Sequence, residues 1–248
     1  MGENKHNILV SLMCMDFLKM KEQLEVLEEE MDGYHIDIMD GHFCKNITLS
    51  PDFAKTVRSV VKKPMDVHLM TTGPGDWLDP CIDAGVDMIS PHAETINTNA
   101  FRTIQYIASH GKKVGVTLNP ATPLSYIEHY LNRIDVITVM TVDVGFAGQK
   151  FIPEMLDKIR LAKELREKNG YHYRILIDGS CNKNTYEMLL EAGADDFIVG
   201  GSGLFSLNKD VKEACKICKA QFREAVEKVE KKAPEIKTGY VIPIQFGR

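Results

Sequence analysis

No stretch of this chain approaches the roughly 20 consecutive apolar residues that a membrane-spanning helix needs, and its first seven residues are polar. Neither an anchor nor a signal peptide is expected, and a soluble cytoplasmic protein is. Basic blocks are missing too, as is any basic face interleaved with aromatics. With 30 Lys and Arg against 35 Asp and Glu, the net charge is −5. Nucleic acid is therefore not an expected partner, and an anionic ligand would need local positive potential. The six cysteines (Cys14, Cys44, Cys81, Cys181, Cys215 and Cys218) lack the spacing of a disulfide framework and are expected as thiols. Cys215 and Cys218 form a C-x-x-C, but Val211, Cys215, Cys218, Phe222, Val226 and Val229 follow helical spacing, so both read as core filler. No G-x-G-x-x-G follows the first apolar run, which argues against a dinucleotide-binding sheet. No linker or composition break divides the 248 residues, a length common for a single barrel.

What the chain does contain is one pattern repeated: a short β-branched run, a polar loop, then an amphipathic helix. The expected strands are residues 8–12, 34–39, 65–70, 88–91, 114–118, 136–139, 174–178 and 197–199. After the first, Asp16 is placed to cap a helix whose inner face is Phe17, Met20, Leu24, Leu27 and Met31. Ser50 and Pro51 open another carrying Phe53, Val57 and Val60. Phe101, Ile104 and Ala108 precede Gly111; Met155, Ile159, Ala162 and Leu165 precede Gly170; Met188, Leu189 and Ala192 precede Gly193. Eight such units predict a parallel sheet with right-handed crossovers, closed as a single (β/α)8 TIM barrel over residues 1–232. Residues 233–248, with Tyr240-Val241-Ile242-Pro243-Ile244, belong to no unit and form a C-terminal tail extension.

In such barrels the chemistry lies at the C-terminal strand ends. His35 and Asp37 stand two apart on the second strand and so share one face, with Ile36 and Ile38 on the other. His68 lies on the third strand, and Asp178 ends the seventh. Each alone is more often structural; two imidazoles and two carboxylates converging on one mouth suit a divalent metal, one ion per subunit. A mixed N and O set fits Zn, Fe, Mn or Co and tolerates Mg. Glycine clusters follow the next strands: Gly145-Phe146-Ala147-Gly148, Gly179-Ser180 and Gly200-Gly201-Ser202-Gly203. Small residues there let backbone N–H groups approach an anion, which predicts a phosphate site. Met39, Met70 and Met140 sit at strand ends as core packing or as a polarizable, water-poor lining. Two carboxylates beside a metal suggest proton transfer on a carbon acid. Inverting a carbon next to a ketone requires proton removal on one face and delivery on the other, roles that Asp37 and Asp178 can exchange.

At these residues the chain resembles the ribulose-phosphate 3-epimerase family, and within it the allulose-6-phosphate 3-epimerase branch. The family pattern is met by HIDIMDGHF at 35–43, HLM at 68–70, MTVDVGFAGQKFIPEMLDKI at 140–159 and IDGS at 177–180; the branch by SLMCMDF at 11–17, NITLSP at 46–51, DGSCN at 178–182 and GSGLF at 201–205. The resemblance runs from about residue 8 to residue 226. It implies metal ligands at His35, Asp37, His68 and Asp178, with Asp37 and Asp178 also the acid and base. It further implies substrate contacts from Ser11, Met39, His68, Met70 and Met140, and phosphate loops at Gly145, Phe146, Ala147, Gly148, Gly179, Ser180, Gly201 and Ser202. A phosphosugar substrate and a homo-oligomer are implied as well. The expected pair is D-allulose 6-phosphate and D-fructose 6-phosphate, with ribulose 5-phosphate and xylulose 5-phosphate as runner-up. Val10 and Val144 stand where the family often has proline, and Cys44-Lys45 replaces a frequent Val-Pro, which bears on loop stiffness and hence on substrate size. A Schiff-base aldolase would need a lysine at a strand end, and Lys45 and Lys150 lie in loops. A metal-dependent aldolase and a non-catalytic phosphosugar-binding protein are the remaining alternatives.

Overall fold

A computed structural model describes residues 5–236. Its strands are β1 (Asn7–Ser11), β2 (Gly33–Met39), β3 (Met65–Met70), β4 (Met88–Pro91), β5 (Lys113–Leu118), β6 (Val136–Met140), β7 (Arg174–Asp178) and β8 (Asp196–Val199). Every neighbouring pair is parallel, and β8 pairs back onto β1, closing the barrel. The expected (β/α)8 architecture is therefore the observed one.

Strand alternation sorts the side chains into two cores. Val10, Ile36, Ile38, Val67, Leu69, Ile137, Val139, Ile175, Ile177, Phe197 and Val199 join the large core between barrel and helices. Leu9, Met88, Val136, Leu176 and Ile198 form a separate cluster inside the barrel. At the N-terminal end of these strands, Asp196 accepts from Asn7 Nδ2 at 2.7 Å and from Arg174 Nε at 2.6 Å. The interior is thus plugged by ion pair and hydrocarbon at one end, which confines any ligand to the other.

The surrounding helices are α1 (Met20–Glu30), α2 (Pro51–Arg58), α3 (Gly75–Asp83), α4 (Ala93–Ile96), α5 (Ala100–Ser109), α6 (Met155–Asn169), α7 (Tyr186–Ala192) and α8 (Val211–Ile236), with 3-10 turns over Leu124–Arg133 between β5 and β6. Ser50 accepts from Phe53 N and caps α2, and Gly170 and Gly193 end α6 and α7 in the left-handed conformation. Cys215 and Cys218 are fully buried, as core filler should be.

Three expected faces differ in detail. Asp16 caps a 3-10 turn, Phe17–Lys19, rather than α1 itself; the tighter turn breaks the helical phase, and Phe17 stays 53% exposed against the edge of Phe53. On α5 the inward residues are Ala100, Thr103, Ile104 and Ile107. A buried threonine occupies the position that apolar spacing passes over, leaving Phe101 and Ala108 outside. On α7, Tyr186, Leu189, Leu190 and Ala192 face inward while Met188 is half-buried. Helix α8 continues to Ile236, past the expected tail boundary at 232; the rest of the tail, 237–248, lies outside the described residues.

Candidate active site

Strand register assembles the reactive cluster. In the β2–β3 pairing Asp37 lies beside His68, and His35 beside Asp66; in the β6–β7 pairing Asp178 lies beside Met140. One ligand atom from each of His35, Asp37, His68 and Asp178 lies within 4.8 Å of the others. His35 Nε2 is 3.4 Å from Asp37 Oδ1 and 3.6 Å from Asp178 Oδ2, and His68 Nδ1 is 3.6 and 3.4 Å from the same two oxygens. Both nitrogens are buried with no hydrogen-bond partner among the described residues. Ligands bound tetrahedrally at about 2.1 Å stand about 3.4 Å apart. The two orphaned nitrogens and their facing oxygens fit a divalent cation on that spacing.

Charge points the same way. Burial opposes protonation of His35, but Asp37, Asp178 and Asp66 outweigh it and push its pKa well above the ordinary imidazole value; His68 shifts in the same direction. Burial also opposes ionisation of Asp37 and Asp178, yet the two imidazoles hold both below the usual carboxylate range. The cluster is balanced only with positive charge inside it, carried by imidazole protons or by a cation.

Further residues hold this cluster in place; motif reading passed over Asp66, Ser90 and His92, while Ser11 was an expected substrate contact. Asp66 Oδ2 lies 2.8 Å from His35 Nδ1, and Asp66 Oδ1 accepts from Ser90 Oγ at 2.7 Å. An ionised carboxylate only accepts, so in the neutral ring that would ligate a metal the hydrogen of His35 sits on Nδ1 and Nε2 keeps its lone pair. Ser11 Oγ donates to Asp37 Oδ2 at 2.7 Å, and His68 Nε2 meets His92 Nε2 at 2.7 Å. The signal was the same period of two that marked His35 and Asp37: Asp66 precedes His68, and Ser90 precedes His92, on shared strand faces.

Ser90 occupies space that only glycine leaves on β5, since a Cβ on Gly115 would come within 2.0 Å of its Oγ. Gly115→Ala is accordingly expected to displace Ser90, loosen Asp66 and His35, and cost about 1–3 kcal/mol as an overpacked core does. Denaturant unfolding and metal titration of the variant check this; wild-type stability with wild-type metal affinity would contradict it.

Above the cluster lies one cavity that collects nearly every expected contact. Ser11, Asp37, Met39, Met70, Met140 and Asp178 line it together with Gly145, Phe146, Ala147, Gly148, Gly179, Ser180, Gly201 and Ser202. His35 and His68 do not line it; they are fully buried beneath. Cys14, Gln149 and Cys181 line it unforeseen. Ser180 alone among described non-glycine residues has a positive φ, 50°, and Gly179 before it has 112°. Ser202 and its neighbours open a π-helical turn, Gly201–Phe205, whose first amides have no intrahelical acceptor. Two of the residues at the departures from the family pattern, Cys44 and Val144, also meet here. Cys44 packs with Met39 and Met70, and Val144 packs against that group, while Asn46 Nδ2 donates to Gly145 O at 2.7 Å.

Residues 7–205 match the ribulose-phosphate 3 epimerase family. The chain belongs to this family. The ribulose-phosphate 3-epimerase of Synechocystis sp. is 40% identical over 204 residues, covering 81% of this chain and 88% of that protein. That of Bacillus subtilis is 40% identical over 197 residues, covering 79% and 90%. The solved 3-hexulose-6-phosphate synthase of Salmonella typhimurium superposes with a TM-score of 0.64 at 16% identity, covering 88% of this chain and 99% of that one, a likeness of fold alone. As a ribulose-phosphate 3-epimerase family member the protein is an isomerase acting on a sugar phosphate. No helix among the described residues is long and apolar enough to cross a membrane.

Proposed function

We propose that this epimerase inverts C3 of a ketose phosphate through a 2,3-enediolate, with Asp37 and Asp178 as the two proton carriers. The observation that carries the reading is that both carboxylates face the same two imidazoles and open into the same cavity, from β2 and β7 on either side of β1 and β8. One carboxylate takes the C3 proton on its side while the other delivers a proton on the opposite side, and the reverse reaction exchanges the roles. His35, Asp37, His68 and Asp178 would hold one divalent ion, which when bound supplies Lewis-acid stabilisation of the charge developing on the substrate oxygens. Ser11 fixes the rotamer of Asp37 through Oδ2. Met39, Met70 and Met140 line the cavity as soft apolar groups that exclude water, and the loops after β6, β7 and β8 offer backbone amides to the phosphate.

For the substrate we propose D-allulose 6-phosphate, with D-fructose 6-phosphate as product. Support comes from where the branch-like segments lie: Ser11, Met13, Cys14, Cys181, Gly201 and Ser202 from three of them line the cavity, and Asn46 from the fourth ties down Gly145. The second reading, ribulose 5-phosphate with xylulose 5-phosphate, is favoured by the names of the relatives. Purified metal-loaded protein incubated with each of the four sugars tests the reaction, and no C3 inversion of either pair would reject it. The reading includes a homo-oligomer, supported by the apolar side chains of Leu18 (97% exposed) and Ile47 (77%) on loops after β1 and β2.

His68→Ala is expected to lose metal and turnover together, because it removes one of only two nitrogen donors in the set. Elemental analysis beside an activity assay checks this; full metal occupancy with full turnover would remove His68 from the site.

A further inference from the structure

The two candidate histidine ligands are supported in different ways. His35 rests directly on the carboxylate of Asp66. His68 rests on another imidazole: its Nε2 lies 2.7 Å from His92 Nε2, and the ring planes differ by 27°. The ring centroids stand 4.9 Å apart, close to the most that the nitrogen separation and the two ring radii allow, so the nitrogens point at each other edge to edge. Phe43 packs on His92 at 4.5 Å between centroids and holds its ring. On the far side, His92 Nδ1 lies 3.3 Å from Glu94 Oε2. The other oxygen, Glu94 Oε1, accepts from Asn119 N at 3.1 Å and from the Thr122 hydroxyl. Lys158 Nζ in turn donates to Asn119 O and Pro120 O, both at 2.8 Å, fixing that loop.

We infer that His92 and Glu94 are positioning residues that set which nitrogen of His68 is free to ligate. The inference rests on the metal reading above. A neutral imidazole has one N–H and one acceptor nitrogen. Two facing imidazole nitrogens at hydrogen-bond distance share one hydrogen, so the bond has a direction. Glu94 is an acceptor at both oxygens, which requires His92 to carry its hydrogen on Nδ1 and to accept at Nε2. His68 must then donate from Nε2, and its Nδ1 presents a lone pair toward Asp37 and Asp178. The polarity of a carboxylate three residues past β4 is thus relayed through one imidazole to the ligand atom of another.

Glu94→Gln reverses the relay with little change in shape. The Asn119 N–H can only donate, so it draws the glutamine carbonyl to its side and leaves the amide NH2 facing His92 Nδ1. His92 would then accept at Nδ1 and donate from Nε2, forcing the hydrogen of His68 onto Nδ1. The expected result is a zinc dissociation constant raised about 10- to 100-fold, the usual range for losing a partner of a metal-ligating histidine. Nitrogen NMR of the imidazoles in the zinc-loaded wild type should place the hydrogen of His68 on Nε2 and that of His92 on Nδ1. As a second pair, His92→Leu removes the acceptor and should weaken zinc binding, while His92→Gln offers a carbonyl in its place and should restore part of it. This comparison decides the matter if Glu94→Gln fails to fold. A wild type that binds zinc at these ligands, with Glu94→Gln and His92→Leu binding as tightly, overturns the inference and leaves the metal reading intact. A wild type that does not bind zinc there overturns the metal reading and the inference with it.

Discussion

Asp178→Asn, with metal bound, is expected to lower the rate of C3 inversion by about 10²- to 10⁴-fold, the range for removing one positioned proton carrier, yet to preserve hydrogen exchange at C3 of one member of the epimer pair. The amide matches the carboxylate in shape and keeps an oxygen toward the imidazoles, but it cannot hold the proton. Inversion needs a carrier on each face of the enediolate, whereas exchange with solvent needs only one. Asp178→Asn leaves Asp37, which can still strip and return the C3 hydrogen on its own side. Asp37→Asn should lose inversion to a similar degree and exchange the other epimer. The two variants differ in their side effects. Ser11 Oγ donates to Asp37 Oδ2, so an asparagine at 37 turns its oxygen to Ser11 and its NH2 toward His35 and His68, which disfavours the metal. Metal content therefore has to be measured beside deuterium incorporation in heavy water. Inversion by both variants at the wild-type rate with metal bound would remove the two-carrier mechanism.

The fold was legible because a closed parallel barrel writes its strands as short apolar runs buried on both faces, with glycine at helix ends. Each of the eight expected runs falls on an observed strand to within one residue at either end. What misled was local phase. The 3-10 turn at Phe17–Lys19 and the buried Thr103 each moved an inner helical face away from simple apolar spacing. The four central residues of the site were legible because chemistry-bearing side chains at period two are conspicuous in a hydrophobic strand. Asp66 and Ser90 follow the same period, but their role depends on distances between strands that no single segment encodes. Glu94 was harder still. It lies on the four-residue helix α4, and its importance appears only once His92 is seen to meet His68 across two strands. Gly115 carries no signal at all in its own segment; its reason is the volume of Ser90 on the neighbouring strand.

On one metal-loaded preparation, the specificity constant for D-allulose 6-phosphate is expected to exceed that for D-ribulose 5-phosphate by about a hundredfold, the scale on which a misplacement near 1 Å slows a positioned reaction. In the proposed reading the phosphate is held at one end of the cavity and C3 lies between Asp37 and Asp178 at the other, so one carbon more or less shifts the reacting atom relative to both carriers. The shift matters only if the phosphate loops are stiff, and the structure ties them to one another and to the barrel. Asn46 Nδ2 donates to Gly145 O, Ser180 Oγ donates to Gln149 O at 2.6 Å, and Asn182 Nδ2 donates to Ser180 O at 3.0 Å and to Ser202 Oγ at 3.2 Å. A Cβ on Gly203 would meet Cys181 O at 2.2 Å, so the loop after β8 lies directly on the loop after β7. At these departures from the family pattern, Cys44 and Val144 tie the loops down by packing with Met39 and Met70 instead of by a proline ring in the backbone. Initial-rate measurements on both sugars decide the matter. A preference for ribulose 5-phosphate would assign the pentose pair to this chain and keep the proton transfers, since nothing in the placement of Asp37, Asp178 or the imidazoles depends on where the phosphate ends. Equal constants would mean that the loops yield despite their cross-ties, and that the phosphate serves binding without positioning C3.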